Sequence, residues 1–258
     1  MRPYTRLSLA LGTAFALFVP AALAEAAAVA PAEAERPAAA AVATDCPVLD
    51  PPPSQEDLDR YFCGDPRLGP AELPDDGVVG DLMRGYQRLG RLSPTEFLDR
   101  HREAYTDPRT GEDKESWIYP GRKGFAVVGG EVQSYEVEVA AGVMLDRFGS
   151  PWGSFLAPAG TPYTQRSLPP DSLNTWPGGP VHNYRCYEVL DAFNAEIGPI
   201  APAFEQPGGG DQLYLDPALV PEAEGQGHLG VDSLVKWGYV EDRPAEDCAV
   251  AERFGLAA

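Results

Sequence analysis

Val143-Met144-Leu145-Asp146-Arg147-Phe148-Gly149-Ser150, preceded by Tyr135-Glu136-Val137-Glu138-Val139, decides the character of the chain beyond Trp117. Both runs are rich in branched and aromatic residues. The earlier one alternates them with glutamates, as a strand with one wet face does. Phe125-Ala126-Val127-Val128 and the run from Tyr184 to Leu190 share this texture, and Gly and Pro clusters interrupt the sequence about every ten residues. The pattern predicts a small, strongly curved β-rich domain over 116–245. Asp232-Ser233-Leu234-Val235-Lys236-Trp237-Gly238-Tyr239 reads as a short helix that ends at Gly238.

Upstream the signals are helical. Ser93-Pro94-Thr95-Glu96 places a capping residue, a proline at the first helical position and a glutamate three residues after the cap, so a helix is expected through His101. Ser54 followed by Glu56 and Asp57 predicts another, through Phe62. Cys63 to Pro70 is punctuated by Gly and Pro and reads as loop. The fold class expected is therefore α+β: a compact, curved, mostly antiparallel sheet domain with a helical and loop segment over 46–115 and a tail over 246–258.

The first residues have another destiny. Met1-Arg2-Pro3-Tyr4-Thr5-Arg6 precedes an apolar run from Leu7 to Ala24 that closes on Ala22-Leu23-Ala24, which reads as a signal peptide over 1–24. Residues 25–45 are mostly Ala, Pro, Val and Glu, a composition that buries no core and reads as a disordered linker. The product is expected to be secreted, extracellular or at the cell surface, with no membrane contact after cleavage.

The chain carries 20 Lys and Arg against 39 Asp and Glu, a formal charge of −19 that becomes −21 when Arg2 and Arg6 leave with the leader. That balance opposes nucleic acid and anionic membrane as partners. An anionic ligand would need a local arginine cluster to overcome it. The four cysteines allow three connectivities. No pair is spaced CxxC and the chain has three histidines, which argues against a zinc site. Cys46 and Cys63 both lie in the Pro-rich N-terminal segment, where a staple holds chain that lacks its own core. They are paired on that ground, leaving Cys186 with Cys248.

No GxGxxG after a strand, GxxxxGK[ST], HExxH or GxSxG is present. Gly208-Gly209-Gly210 reads as a loop, with a phosphate cradle as the alternative. Leu145-Asp146-Arg147-Phe148-Gly149-Ser150, Gly153-Ser154-Phe155-Leu156-Ala157-Pro158, Gln165-Arg166-Ser167-Leu168-Pro169-Pro170 and Gly198 through Gln212 follow one another in fixed order. Together they closely resemble the tuberculosis necrotizing toxin family. Ile118-Tyr119-Pro120 and Gly124-Phe125-Ala126 look like its opening elements, and Cys63 to Pro70 and Pro94 to Asp99 look like the segment before the domain in fungal surface NADases. The resemblance covers about residues 61 to 240.

It implies hydrolysis of the nicotinamide–ribose bond of NAD+ or NADP+, to nicotinamide and ADP-ribose, with no cofactor or metal in the chemical step. The family's essential arginine and glutamine fall on Arg147 and Gln212. Its aromatic positions fall on Phe148 and Phe155, and its further arginine on Arg166. These residue types suit the chemistry. Nicotinamide leaves as a neutral amide while positive charge grows on the ribose, so a site must hold the ring, shelter that centre and admit water. Gln212 suits a ribose hydroxyl or that water, Arg147 and Arg166 a pyrophosphate, and Phe148 and Phe155 a nicotinamide pocket. Without the resemblance, both phenylalanines would be assigned to the core, Arg147 to a surface ion pair and Gln212 to a solvated loop.

Two positions depart from the pattern. The family's Tyr-His-x-Tyr is Tyr184-Arg185-Cys186-Tyr187 here, which puts Arg185 among the expected substrate-binding residues, and Ala203 stands where the family favours Trp. His182 lies three residues from Arg185, which on a strand is the opposite face. The resemblance allows a homodimer and an immunity protein as partners. Calcium near the C-terminus, also a property of the fungal members, has only the acidic composition of Glu241 to Asp247 in its favour. Two other activities fit the same bond and pocket: a catalytically silent nucleotide-binding module, and ADP-ribosyl transfer to a macromolecular acceptor.

Overall fold

The two capping signals work as written. In the computed structural model, which describes residues 45–250, Ser54 caps α1 (Gln55–Arg60) and Ser93 caps α3 (Pro94–His101). In each helix the cap hydroxyl accepts the third residue's N–H, and that residue's carboxylate, Asp57 or Glu96, accepts the cap's own N–H. Between them lies α2 (Gly77–Leu82). The expected signal peptide, the linker up to residue 44 and the end of the tail (251–258) lie outside the described residues.

The segment 46–115 is not only helix and loop, as expected. It also carries a hairpin, β1 (Arg102–Thr106) with β2 (Asp113–Trp117), in which Arg102 pairs Trp117 and Thr106 pairs Asp113. Its strands are almost entirely polar and exposed, so no apolar alternation marks them in the sequence. Two very short strands follow, β3 (Val127–Val128) and β4 (Glu131–Val132).

The main sheet has seven strands, all antiparallel to their neighbours. They are β5 (Tyr135–Val139), β6 (Met144–Phe148), β7 (Phe155–Pro158), β8 (Tyr184–Val189), β9 (Phe193–Pro199), β10 (Asp211–Tyr214) and β11 (Val240–Arg243). Their order is β11-β8-β6-β7-β10-β9-β5, an open sheet with β11 and β5 at its edges. The expected α+β class and antiparallel sheet are thus present. Helix α4 (Val231–Trp237) ends at Gly238, whose φ of 82° is the left-handed cap that glycine adopts freely. A last turn, α5 (Asp247–Val250), follows β11.

Each face of the sheet buries a different set of side chains. Leu145, Leu156, Tyr187, Ile197 and Leu213 pack on one face with Val231 and Leu234 of α4. Phe148, Tyr184 and Cys186 pack on the other with Tyr163, Leu173 and Val79 and Leu82 of α2. A third cluster joins Leu68, Leu89, Phe97 and Leu98 of the N-terminal segment to Phe204, in the loop between β9 and β10. Each fully buried side chain of this size contributes about 1.5–3 kcal/mol. Both disulfides form as paired from the sequence, with Cα–Cα distances of 5.6 Å for Cys46–Cys63 and 5.9 Å for Cys186–Cys248.

Candidate functional site

Strands β6 and β7 pair at only two positions, Leu145 with Pro158 and Asp146 with Ala157. Beyond them the chain turns through Gly149 to Ser154 and the strands splay apart. The Arg147 side chain fills the opening, donating from Nε to the Ser150 carbonyl at 2.7 Å and from Nη1 to the Phe155 carbonyl at 2.5 Å. Gly153 leaves room for this arrangement, since a Cβ there would lie 1.8 Å from Nη2 of Arg147 and would displace the guanidinium. Burial lowers the pKa of this guanidinium, and the nearby Arg185 adds to the effect.

The splay also settles which residues meet. Leu213 pairs Leu156, and Asp146 pairs Ala157, so Gln212 and Asp146 stand on one face and Arg147, one residue on, starts from the other. In a regular sheet they would stay apart. Through the opening, Arg147, Phe148, Phe155, Arg166 and Gln212 all line a single cavity of ≈ 50 Å³, together with Asp146 and Leu168.

Gln212, 9% exposed, donates from Nε2 to the main-chain carbonyl of Lys123 at 2.8 Å. Arg122, Lys123 and Gly124 all have positive φ (60°, 57° and 77°), a strained turn that aims this carbonyl at Gln212. Lys123 anchors the turn: its Nζ lies 2.8 Å from Glu196 and 3.2 Å from Asp216, and 4.1 Å from the centre of the Tyr214 ring.

Arg166 is in place but does not carry the free charge expected of it. Its Nη1 lies 2.6 Å from the fully buried Asp146, and its Nε donates to the Thr161 carbonyl at 2.9 Å. Tyr184 donates to the other Asp146 oxygen at 3.0 Å. Burial raises the Asp146 pKa, and Arg166 opposes that rise. The pair cancels its own charge, so Arg166 shapes the cavity wall and brings little net attraction for a pyrophosphate. Phe148 is 4% exposed and packs against Tyr163 and Tyr184, which makes it core as well as wall. Phe155, 36% exposed beside Tyr214, is the open aromatic face.

Arg185 stands outside the cavity, directly across from Arg147, and donates from Nε to the Gly149 carbonyl at 3.2 Å. His182 is not on a strand, contrary to the argument from strand offset. It lies in the single turn Val181–Asn183 with φ of 52°, and burial lowers its pKa. The glycine run is no phosphate cradle: Gly209 donates its N–H to Ile200 and Gly210 to Gln165. Asp146 and the Lys123 carbonyl were not read from the sequence. Asp146 sits inside the quoted motif, and its place one residue before Arg147 was the available signal for a partner on the opposite face. Nothing in Arg122-Lys123-Gly124 announces the carbonyl.

Three comparisons bear on this site. The family model described as tuberculosis necrotizing toxin matches residues 138–242. The conidial surface nicotinamide adenine dinucleotide glycohydrolase nadA of Aspergillus fumigatus is 46% identical over 156 residues, which is 60% of this chain and 64% of that protein, less than two thirds of its length. Among solved structures, tuberculosis necrotizing toxin complexed with its immunity factor IFT aligns with a TM-score of 0.38 and 17% identity, over 75% of this chain and 85% of that one. Rhs1-CT in complex with its cognate immunity protein gives 0.26 and 10%, over 46% and 84%. The stretch 138–242 is thus similar to the tuberculosis necrotizing toxin family, whose motifs the sequence resembles.

Proposed function

We propose that the protein is a secreted NAD(P)+ glycohydrolase that cuts the nicotinamide–ribose bond and releases nicotinamide and ADP-ribose. The observation that carries this reading is the convergence of Arg147 and Gln212 on one cavity, in a chain 46% identical over 156 residues to a protein named as an NAD glycohydrolase.

The chemistry follows from the groups present. Nicotinamide departs neutral, so the bond breaks without a cofactor, and the demand falls on the positive charge that builds at the ribose. With its nitrogen held by Lys123, Gln212 presents Oε1 to accept from a ribose hydroxyl or the attacking water. Arg147 fixes the splayed turn around the bond. Phe155 offers a face to the nicotinamide ring, backed by Phe148. Substrate-sized pockets run to about 300–1,000 Å³, so the cavity of ≈ 50 Å³ is the floor of such a site, and the bulk of the dinucleotide lies outside it. A homodimer and an immunity protein are further partners proposed from the resemblance.

Incubation of the purified protein with etheno-NAD+, followed by separation of the products, tests the reading. Equal amounts of nicotinamide and etheno-ADP-ribose are expected. Binding without release would make the domain a silent nucleotide-binding module, and label fixed on protein would make it a transferase.

A further inference from the structure

Every main-chain carbonyl from Gly149 to Phe155 accepts a hydrogen bond from outside the turn. Arg185 serves Gly149, and Arg147 serves Ser150 and Phe155. The N–H groups of Asp232, Val231 and Leu215 serve Pro151, Gly153 and Ser154 at 2.9, 3.2 and 2.8 Å. The remaining carbonyl, that of Trp152, is served by His228, whose Nε2 lies 2.6 Å from it. A turn with glycine at 153 and at 149, where φ is 136°, has little rigidity of its own, so these bonds set its shape.

His228 grips this turn twice. Its Nδ1 lies 3.1 Å from Oγ of the buried Ser154. A carbonyl only accepts, so Nε2 carries the hydrogen, and in the neutral ring Nδ1 is left to accept from the Ser154 hydroxyl. One tautomer thus satisfies both contacts. The two residues held are the neighbours of Gly153, against which the Arg147 guanidinium rests. The ring itself is exposed and lies outside the cavity, so it touches no reacting atom.

We propose that His228 is a positioning residue for the glycohydrolase reaction, an inference that rests on the reading above. Arg147 bridges the carbonyls of Ser150 and Phe155, so the separation of those two oxygens fixes where the guanidinium lies. His228 holds Trp152 and Ser154, which lie between them, and thereby sets the places of Arg147 and Phe155 in the wall of the Gln212 cavity. A displacement of about 1 Å at such a site is enough to slow the chemistry by orders of magnitude. The contacts of His228 are at the surface, where two hydrogen bonds add little to the stability of the whole fold. Loss of the clamp is therefore read in turnover rather than in unfolding.

The test compares wild type, His228→Ala, His228→Gln and Ser154→Ala on NAD+. For His228→Ala, kcat is expected to fall at least about tenfold while KM stays within about threefold, and Tm should fall by only a few degrees. His228→Gln, whose amide offers both a donor and an acceptor, should recover part of the loss. Ser154→Ala should lower kcat less, and should cost less still when added to His228→Ala. Wild-type kcat in His228→Ala, or a loss that vanishes on cooling well below the variant's Tm, overturns the proposal. A second readout is independent of turnover. Native-state hydrogen exchange at the Val231 and Asp232 amides, which hold the turn from α4, should quicken in His228→Ala. If wild type releases no nicotinamide, the glycohydrolase reading fails, and quickened exchange still upholds the clamp. Turnover by wild type with neither kcat nor exchange altered in His228→Ala does the reverse.

Discussion

Gln212 donates its side-chain amide to the main-chain oxygen of Lys123 at 2.8 Å. A carbonyl only accepts, so the nitrogen of Gln212 is fixed on that side and Oε1 is directed away from it. If that oxygen acts on the ribose or the water, its interaction strengthens as the bond breaks. Gln212→Ala should then lower kcat by about 10²–10³ while KM changes by no more than a few-fold. Gln212→Glu keeps the size but sets a carboxylate against the Lys123 oxygen, and should lose turnover together with about 1–3 kcal/mol of stability. Steady-state kinetics and urea unfolding of both variants decide this; full turnover in Gln212→Ala removes the residue from the mechanism.

Asp171 gives the protein a pH signature. Burial raises its carboxyl from the ordinary 3.8 to about 6, against the hydrogen bond from Trp117 Nε1 at 2.9 Å. The folded-state pKa lies above the unfolded one, so the favourable contribution is complete below about pH 4 and is lost as pH rises through about 6. The shift corresponds to roughly 2–3 kcal/mol. Asp171→Asn keeps an acceptor for Trp117 and never ionises, so its stability should exceed that of wild type at pH 7 and approach it near pH 4. Unfolding free energies at these two pH values test the sign; a constant difference would locate the effect elsewhere.

The sheet was legible because its strands alternate or are branched, and both helices with complete capping boxes were found almost to the residue. The β1–β2 hairpin was not, because residues such as Glu103, Lys114 and Glu115 are charged and leave no apolar period. The site divides along the same line. Motif order pointed to the five residues that share the cavity, but the strand register starts Arg147 and Gln212 from opposite faces. The splay of β6 from β7 that brings them together is a tertiary event. The charge on Arg166 was misread for a similar reason: Asp146 is 20 residues away and meets it only in the fold.

The two disulfides should differ in weight. Cys186–Cys248 closes 62 residues and Cys46–Cys63 closes 17. In the chain-entropy account the longer loop is worth about 4 kcal/mol and the shorter about 3. Replacing each pair by serine should lower the urea midpoint more for Cys186 and Cys248. Equal shifts would mean that something other than loop closure sets how much each bond stabilises the fold.

The N-terminal segment lies outside the matched family domain, yet it holds the loop that leads into Gln212. Phe204 and Glu205 both adopt left-handed backbone (φ 52° and 59°), a conformation costing on the order of 1–2 kcal/mol for each non-glycine residue. Phe204 is fully buried among Leu68, Phe97 and Leu98. Glu205 Oε1 lies 3.1 Å from Arg100 Nη1 and 3.1 Å from His101 Nε2, both on α3. Gln206 adds a bond from Nε2 to the Gln87 carbonyl at 3.2 Å. Phe204→Ala should cost about 3–5 kcal/mol through the cavity it leaves. Glu205→Gly is the more informative change. Glycine relieves the backbone strain, which offsets the loss of two partly exposed contacts worth at most about 1 kcal/mol each, so stability should stay nearly constant. If α3 positions Gln212 through this loop, kcat should nevertheless fall several-fold with KM little altered. Wild-type kcat in a stable Glu205→Gly protein would show that Gln212 is held from within the domain, by Lys123 and its strand neighbours alone.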